Sequence, residues 1–456
     1  MSTGPRYRTD DQRNTRRALN RRGIQPERGM GQNFMTDRSV AAWIVAQLDI
    51  QPGDHVVEIG PGMGALTEHM AGKVPSLTLL EKDDELMEEV RRKFGSTAGI
   101  TLIHGDALDF DLRPYFKAQP LKVIGALPYS VGTEIVRRWL ENPSPVQRAV
   151  FTLQKEVCDR LCASPGTSEY GLLSVRTQLR WQATMLRKLP PDIFVPRPKV
   201  DSGVICMTPR DRNGLPAFDE PLFNKLITAG FSQRRKMLRN LISGLIEIPW
   251  EQAAAAAGIS AMARGQELSI AQWLALTNAC DTRGNSGHAQ RGDEMFDVVD
   301  DQNRIMRQAM RQDVHANGWL HRAVHIYVTN GKGEVFLQKR SHLKDVKPGK
   351  WDSSAAGHLD AGEQYLPCAL RELEEELGIT TTADRLQRCA EVAACPATGM
   401  EFVELYVTEW TGKLRWPAAE IETGQWFSPQ EIDAWTAARP EDFADGFLEC
   451  WRRWKP

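Results

Sequence analysis

The chain has 456 residues, of which 25% are charged and 41% hydrophobic, a size and composition typical of a soluble protein with two or three domains. No apolar run approaches the roughly 18 residues of a membrane helix, and the arginine-rich N-terminus lacks the apolar core of a secretory signal, which predicts a cytoplasmic protein without a membrane partner. The net charge of −2 is unevenly distributed along the chain. Residues 1–290 contain 37 Lys and Arg and 31 Asp and Glu, whereas residues 291–456 contain 20 Lys and Arg and 28 Asp and Glu. This difference in charge predicts two modules with different partners.

The first 28 residues are basic and have no convincing apolar face. We therefore predict a disordered arm over residues 1–28 that could touch phosphate groups. A solvated tail without a partner is the alternative interpretation of the same residues.

Residues 55–130 alternate between apolar strands and helical patterns. The first strand opens HVVEIGPGMGALTEHM (55–70) and is followed by a glycine-rich turn, and the second ends at Glu81. The third lies in ITLIHGDAL (100–108), with Asp106 at its tip, and the fourth in VIGALPYS (123–130). This alternation predicts a parallel α/β sheet in which ligands bind at the carboxyl ends of the strands. The candidate site residues at those ends are Gly60, Gly62, Glu81, Asp106 and Leu127–Tyr129.

Two kinds of cofactor are consistent with the residues at this edge of the sheet. GPGMGA fits the dinucleotide pattern G-x-G-x-x-A, and Glu81 lies 21 residues after Gly60, as suits an acid that binds ribose hydroxyls. The glycine loop alone does not decide between a dinucleotide and S-adenosylmethionine. Asp106 is placed to accept a hydrogen bond from an adenine amino group, and a base-sized site follows on the next strand. Together they favour S-adenosylmethionine.

That second site is the end of VIGALPYS (123–130). Pro128 fixes its own backbone angle and pushes Leu127 toward an extended conformation, so Tyr129 is held at a rigid strand end. A flat side chain at this place suits a flat ligand. A purely structural turn is the alternative.

Several segments resemble the ribosomal RNA adenine dimethyltransferases, a family that methylates adenine N6 in small-subunit rRNA. They are GQNFMTD (31–37), EIGPGMGALT with LLEKD and GDAL, IFVPRPKVDSGVI (193–205), FSQRRKMLRNLI (231–242) and RGQELSIAQW (264–273). The resemblance covers roughly residues 28–280. It implies a Rossmann-like methyltransferase domain over residues 29–210 and a small helical, RNA-contacting domain over residues 211–282. It also implies 16S rRNA in the small ribosomal subunit, and not DNA, as the partner.

The resemblance also assigns roles to individual residues. S-adenosylmethionine would be bound by Asn33, Met35, Gly60, Gly62, Glu81, Asp106 and Ala126, and the target adenine by Leu127, Pro128, Tyr129 and Phe194. In the family the aromatic ring after the proline stacks on the adenine, while Phe194 would pack against the other face of the flipped base. A core phenylalanine is the alternative for Phe194. Such help is positional, because the cofactor carries the reactive methyl group.

Ala126 departs from the family, which has Asn at this position. The Asn side chain accepts a hydrogen bond from the target amino group, and losing one such bond costs roughly 1–3 kcal/mol, or about 10- to 100-fold in rate. Main-chain carbonyls remain, so we expect methylation to be slowed rather than abolished. The alternative function is a ribosome assembly factor that binds the subunit without efficient methylation.

The segment RRKMLRN is basic, with Arg234, Arg235, Lys236 and Arg239 on a predicted helix. Arg235 and Arg239 would share one face at i, i+4. Within a net-positive module we predict that these residues contact RNA phosphates. A solvated helix face is the alternative.

RGNSGHAQRG (283–292) is polar and has no periodicity, which predicts a linker to a second domain over residues 293–456. There, GHLDAGEQYLPCALRELEEELGI (357–379) fits the Nudix box at every fixed position and implies an α/β/α domain. Its acids Glu372, Glu375 and Glu376 lie at i, i+3, i+4 on one helical face, which is unfavourable unless a cation lies between them. Carboxylate oxygens select Mg²⁺ or Mn²⁺. We assign all three as metal ligands, and Glu375 and Glu376 also as catalytic.

Basic residues before the box predict a diphosphate-containing small molecule as the substrate: Arg322, Lys339, Arg340, Lys344, Lys347 and Lys350. Of these we assign Arg322, Lys339 and Lys350 to the diphosphate. Nudix enzymes typically hydrolyse such substrates with a metal-activated water. The flank also resembles isopentenyl-diphosphate isomerase, which uses a cysteine in the loop before the box. Here that loop has Ser353 and Ser354. Hydrolysis is therefore favoured over isomerisation.

Overall fold

The computed structural model of this chain describes residues 9–22, 32–118, 120–212, 214–282, 284 and 294–454. These residues fall into two compact units. The first unit comprises Met1–Arg212, Ile227–Leu241 and Met262–Ile270, and the second comprises Asn213–Leu226, Ile242–Ala261 and Ala271–Pro456. The domain boundaries inferred from the sequence stay predictions, and of the linker 283–292 only Gly284 lies within the described residues.

Eleven short helices precede the linker. They are α1 (Thr9–Arg22), α2 (Arg38–Gln47), α3 (Thr67–Met70), α4 (Asp84–Phe94), α5 (Gly132–Trp139), α6 (Lys155–Cys162), α7 (Leu172–Gln178), α8 (Glu220–Gly230), α9 (Arg239–Ile242), α10 (Trp250–Ala256) and α11 (Ile270–Cys280), counted over the described residues.

The first unit is organised by a seven-stranded sheet. The strands of this unit are β1 (Phe34–Met35), β2 (His55–Ile59), β3 (Ser76–Glu81), β4 (Ile100–His104), β5 (Leu121–Ala126), β6 (Val146–Gln154), β7 (Trp181–Leu189), β8 (Phe194–Val195) and β9 (Ser202–Pro209). The sheet order is β4-β3-β2-β5-β6-β9-β7. The first five strands run parallel, whereas β9 runs antiparallel to β6 and β7. The predicted α/β fold class is confirmed.

The strands β1 and β8 form a small antiparallel pair apart from this sheet. Met35 faces Phe194 in its register, and both side chains belong to the apolar core that also holds Ile124 of β5 and Val150 of β6. The pairing therefore brings two segments that are far apart in sequence to one face of the sheet.

The structure corrects our prediction of a disordered arm over residues 1–28. Thr9–Arg22 form a helix, and Leu19 is buried in an apolar cluster with Phe34, Leu86 and Val195. Removing this leucine from water favours docking of the segment, which the sequence alone did not indicate because α1 has no continuous apolar face. Residues 1–8 and 23–28 lie outside the described residues.

The second unit contains the remaining elements. Its C-terminal part holds the helices α12 (Arg311–Asn317), α13 (Tyr365–Leu377), α14 (Pro429–Ala438) and α15 (Asp445–Trp454), and the strands β10 (Met295–Val299), β11 (Ile305–Met310), β12 (His321–Thr329), β13 (Val335–Arg340), β14 (Trp351–Asp352), β15 (Ala355–His358), β16 (Gln387–Val392), β17 (Glu401–Glu409) and β18 (Ile421–Phe427).

Helices cover both faces of the mixed sheet in this unit. The strand order is β14-β13-β12-β17-β16, with β15 also paired to β12 and β18 to β13. Val324 and Ile326 of β12 share an apolar cluster with Leu373 of α13, while Tyr327 points the other way and stacks on Trp454 of α15. Because side chains alternate along a strand, β12 is buried on both sides. The predicted α/β/α architecture is confirmed.

Among the described residues, none of the helices combines the length and the apolar character needed to cross a membrane.

Candidate active sites

A cavity of about 310 Å³ opens at the carboxyl ends of the parallel strands in the first unit. It is lined by every residue that the sequence suggested for cofactor and adenine: Asn33, Met35, Gly60, Gly62, Glu81, Asp106, Ala126, Leu127, Pro128, Tyr129 and Phe194. Carboxyl ends of adjacent parallel strands meet at one edge of a sheet, which explains how Gly60, Glu81, Asp106 and Leu127–Tyr129 meet here. The pairing of β1 with β8 adds Met35 and Phe194. The placement supports these assignments, and the role of each residue stays a prediction.

The glycine loop aims the Glu81 carboxylate into this cavity. Gly60 and Gly62 have positive φ angles of 64° and 55°, a backbone region that other residues rarely adopt. The amide of Gly62 donates to Glu81 Oε2 at 3.1 Å, and the amides of Lys82 and Asp83 donate to Oε1 at 2.9 and 3.1 Å. Burial raises the pKa of Glu81. This carboxyl group is therefore fixed in position, and Oε2 can accept a further hydrogen bond from a ligand hydroxyl.

Asp106 lies at the end of the next strand, β4. Its Oδ1 accepts from the amide of Leu108 at 2.9 Å, and its Oδ2 forms an ion pair with Lys82 Nζ at 2.6 Å. Burial opposes ionisation, but the amide of Leu108 and the Lys82 ammonium outweigh it and lower the pKa of Asp106. The ionised group accepts hydrogen bonds only, which suits an adenine amino group.

Tyr129, which follows β5, and Phe194 of β8 also line this cavity. The Tyr129 hydroxyl forms a hydrogen bond with Ser202 Oγ, which holds the half-buried ring in place. Phe194 is only 3% exposed and packs in the core, yet it also lines the cavity. The core interpretation of Phe194 and the ligand-contacting one are thus compatible.

A second cavity, of about 760 Å³, lies in the second unit and is lined by the three predicted metal ligands, Glu372, Glu375 and Glu376. Arg371 Nη1 donates to Glu372 at 2.8 Å and to Glu375 at 3.0 Å. Gln338 Nε2 and the amide of Ala356 each donate to Glu376 Oε2 at 3.1 Å. The helix α13 thus presents its acids to the cavity while its leucines fill the core.

The electrostatics of these acids fit a divalent cation. Burial and the neighbouring Glu376 raise the pKa of Glu372 to about 8, and burial also raises the pKa of Glu376. A Cβ at Gly357 would overlap the Glu372 carboxylate, so glycine is needed where β15 passes the site. Buried like charges that are costly alone become favourable when they share a cation.

The structure does not bring Arg322, Lys339 and Lys350 to this cavity. Arg322 donates to Asn303 Oδ1 at 2.7 Å, Lys339 Nζ lies 3.9 Å from Glu422, and Lys350 donates to the carbonyl of Glu441. Gln338 donates to Glu376, so alternation along β13 turns the next residue, Lys339, to the opposite face. Arg322 instead lies over the ring of Tyr365, at the N-terminal end of α13. The cavity is lined by the other three basic residues of that group, Arg340, Lys344 and Lys347, and by Arg311.

The sequence analysis missed a histidine cluster, two members of which, His315 and His358, line the same cavity. One ring nitrogen from each of His315, His321 and His358 lies within 4.8 Å of the others, and His358 Nε2 lies 3.0 Å from Glu401 Oε1. Burial and the other two rings lower the pKa of His315 to about 4, so this imidazole is neutral. Neutral imidazoles beside a carboxylate are typical ligands of divalent transition metals.

Ser353 and Ser354 are structural residues. Ser353 Oγ lies 2.7 Å from His325 Nδ1, and Ser354 Oγ accepts from the amide of Val328 at 2.7 Å. Of the described residues that line the cavity, none is a cysteine.

The predicted basic helix is wrong for residues 234–238, which form a turn, and only Arg239–Ile242 are helical. Arg234 donates to the carbonyls of Tyr170 and Thr167 at 3.0 and 2.9 Å, and the amide of Leu238 donates to Ala263 at 2.8 Å. The Leu238 amide therefore bonds to a distant segment and not to the residue four positions earlier, as a helix would need. Arg235 and Lys236 are exposed.

Comparison with known families finds two matches in this chain. Residues 25–282 match the family model of ribosomal RNA adenine dimethylase, and residues 319–446 match that of the NUDIX domain. The two matches do not overlap.

Individual proteins resemble the N-terminal half. Ribosomal RNA small subunit methyltransferase A of Geobacter metallireducens is 39% identical over 264 residues, which cover 56% of this chain and 96% of that protein. The protein of the same name from Acinetobacter baylyi is 39% identical over 257 residues, covering 56% of this chain and 93% of its own. Among solved structures, the 23S rRNA methyltransferase ErmE is 25% identical with a TM-score of 0.46, covering 55% of this chain and 100% of its own.

Proposed function

This chain belongs to the ribosomal RNA adenine dimethylase family and also carries a NUDIX domain, and from that premise we propose that its N-terminal half dimethylates adenine N6 in 16S rRNA of the small ribosomal subunit, using S-adenosylmethionine. The observation that carries the proposal is the single cavity lined by both the cofactor segments and Leu127–Tyr129. The assembly-factor alternative is not favoured, because the relatives named above are methyltransferases.

The residues of the cavity would act by binding and orientation. Glu81 would accept hydrogen bonds from the ribose hydroxyls, and Asp106 from the cofactor's adenine amino group. S-adenosylmethionine supplies an electrophilic methyl group on sulfur. Tyr129 and Phe194 would hold the flipped target base so that its N6 faces that methyl group.

The test is methyl transfer by the purified full chain, with tritiated S-adenosylmethionine and small subunits that lack the adenine methyl groups. We expect label at adenine N6 of 16S rRNA. Binding of both the cofactor and the subunit without transfer of label would instead support the assembly factor.

RNA contact by Arg235 and Lys236 is the second part of this proposal, and it rests on their exposure in the turn. Arg235→Glu with Lys236→Glu should weaken subunit binding and lower the slope of log affinity against log salt by about 2, because two phosphate contacts are lost. S-adenosylmethionine affinity should not change. The matched control, Lys332→Glu with Lys413→Glu, reverses two exposed charges of the second unit and should leave the slope unchanged. An unaltered slope in the Arg235 and Lys236 variant would refute the contact.

For the C-terminal half we propose metal-dependent hydrolysis of a diphosphate-containing small molecule. Glu372, Glu375 and Glu376 would hold Mg²⁺ or Mn²⁺, which when bound acidifies water and neutralises phosphate charge. The side chains Arg340, Lys344 and Lys347 line the cavity and would bind the phosphates in place of Arg322, Lys339 and Lys350. The lack of a thiol among the lining residues supports hydrolysis over isomerisation.

A phosphate-release screen with the full chain tests this half. Nucleoside and isoprenoid diphosphates are offered with Mg²⁺, Mn²⁺ or Zn²⁺, the last because the histidine cluster suits a transition metal. We expect release that stops when the metal is chelated. Release that continues under chelation, or formation of an isomer, would contradict the proposal.

A further inference from the structure

Thr152 of β6 lies directly beside Ala126 of β5. The two residues are partners in the parallel register, and the amide of Leu127 donates to the Thr152 carbonyl at 3.0 Å. Directly opposed residues of adjacent strands project to the same face, and every second residue of a strand shares that face. Two positions earlier, Ile124 and Val150 belong to the core cluster that includes Phe194. Ala126 and Thr152 continue this face to the cavity, which both of them line.

The hydroxyl of Thr152 is not explained by packing. The residue is 2% exposed, and within the described part of the chain its Oγ1 has no hydrogen-bond partner. Burying an unpaired hydroxyl is unfavourable, whereas valine would fill the same volume without a polar group. The positions just before it on this face hold the apolar residues Ile124 and Val150, so the change to threonine at the cavity indicates a ligand that pairs with the hydroxyl.

We propose that the Thr152 hydroxyl accepts a hydrogen bond from the amino group of the target adenine and so orients N6 for methyl transfer. The proposal rests on the methyltransferase function proposed above. Ala126 has no side-chain acceptor, and its register partner supplies one at the same strand end. The hydroxyl and the methyl group of threonine share one carbon atom, so rotation about a single bond between staggered positions presents the hydroxyl to the cavity. A base that stacks on Tyr129 then has an acceptor beside its amino group.

The test compares Thr152→Val, which removes the acceptor at constant volume, with Thr152→Ser, which keeps it. At saturating S-adenosylmethionine and subunit, Thr152→Val should lower the rate of methyl transfer by about 10- to 100-fold, the contribution of one well-placed hydrogen bond, while Thr152→Ser should retain most of it. The melting temperature of Thr152→Val should be unchanged or higher, because an unpaired hydroxyl has been removed. Ala126→Asn should restore the rate of Thr152→Val. Equal rates for wild type and Thr152→Val would overturn the proposal.

A binding measurement separates this inference from the methyltransferase function itself. With the cofactor site saturated by S-adenosylhomocysteine, adenosine is compared with purine riboside, which lacks the amino group. Wild type should prefer adenosine, and Thr152→Val should lose that preference. If wild type transfers no methyl group, the proposed function fails, and the nucleoside preference still decides the role of Thr152. A preference that is the same in wild type and Thr152→Val would refute that role.

Discussion

Glu376→Gln should lower metal-dependent phosphate release by the C-terminal half by about 10²- to 10⁴-fold, the usual contribution of a group that moves a proton in the transition state, with a further loss if it also ligates metal. The substitution keeps the side-chain volume and removes the charge. Glu376 is buried and receives hydrogen bonds from Gln338 and the amide of Ala356. Glu375→Gln should have an effect of the same order, since Glu375 lines the same cavity.

The fold of these variants should survive. Burial raises the pKa of Glu376, so the charged form is costly in the metal-free protein, and an uncharged amide removes that cost. The melting temperature without metal should therefore be unchanged or higher. Added Mg²⁺ or Mn²⁺ should raise it for wild type and less for Glu376→Gln, because a ligand that binds the folded state stabilises it.

Glu374→Gln is the matched control. Glu374 lies on the same helix but is exposed, and it is not among the described residues that line the cavity. Its substitution should leave both turnover and the metal-dependent stabilisation intact. Full activity of Glu376→Gln, or equal losses in Glu374→Gln and Glu376→Gln, would remove the metal-site assignment.

The parts of both sites that the sequence could predict are those encoded in short segments. The glycines of the sequence predicted the loop from Gly60 to Gly62, where the backbone adopts positive φ angles. Helical spacing predicted that the acids of α13 share one face. Asp106 and Tyr129 follow from the rule that ligands bind at the carboxyl ends of parallel strands. In each case a local pattern and one general rule were sufficient.

The parts that escaped prediction depend on pairing between distant segments. His321 and His358 approach because β15 pairs antiparallel with β12, and Thr152 lies beside Ala126 through the register of β5 and β6. Strand β12 is buried on both faces, so its hydrophobic pattern did not show that Arg322 contacts Asn303 and Tyr365 rather than the acids. The turn at residues 234–238 was not predicted for a similar reason, because its geometry depends on the hydrogen bond from the Leu238 amide to the carbonyl of Ala263.

Tyr129→Ala should lower the rate of methyl transfer at saturating cofactor and subunit by about 100-fold. Stacking on an aromatic side chain is worth about 1–3 kcal/mol per base, or about 10- to 100-fold, and a base that is no longer held flat also loses alignment with the methyl group. The affinity for S-adenosylmethionine should remain within a few-fold of wild type, because Glu81 and Asp106 hold the cofactor from other strands.

Tyr129→Phe separates the ring from the hydroxyl. This variant keeps the flat face and loses the hydrogen bond to Ser202, so it should retain most of the activity and lose some thermal stability, because Ser202 Oγ is left without that partner. If Tyr129→Phe loses as much activity as Tyr129→Ala, the hydroxyl anchor at the end of β5 is the essential feature and the residue acts as a structural turn. If both variants keep full activity, the target adenine does not stack on this ring, and Phe194→Ala is then measured in the same assays, because Phe194 also lines the cavity.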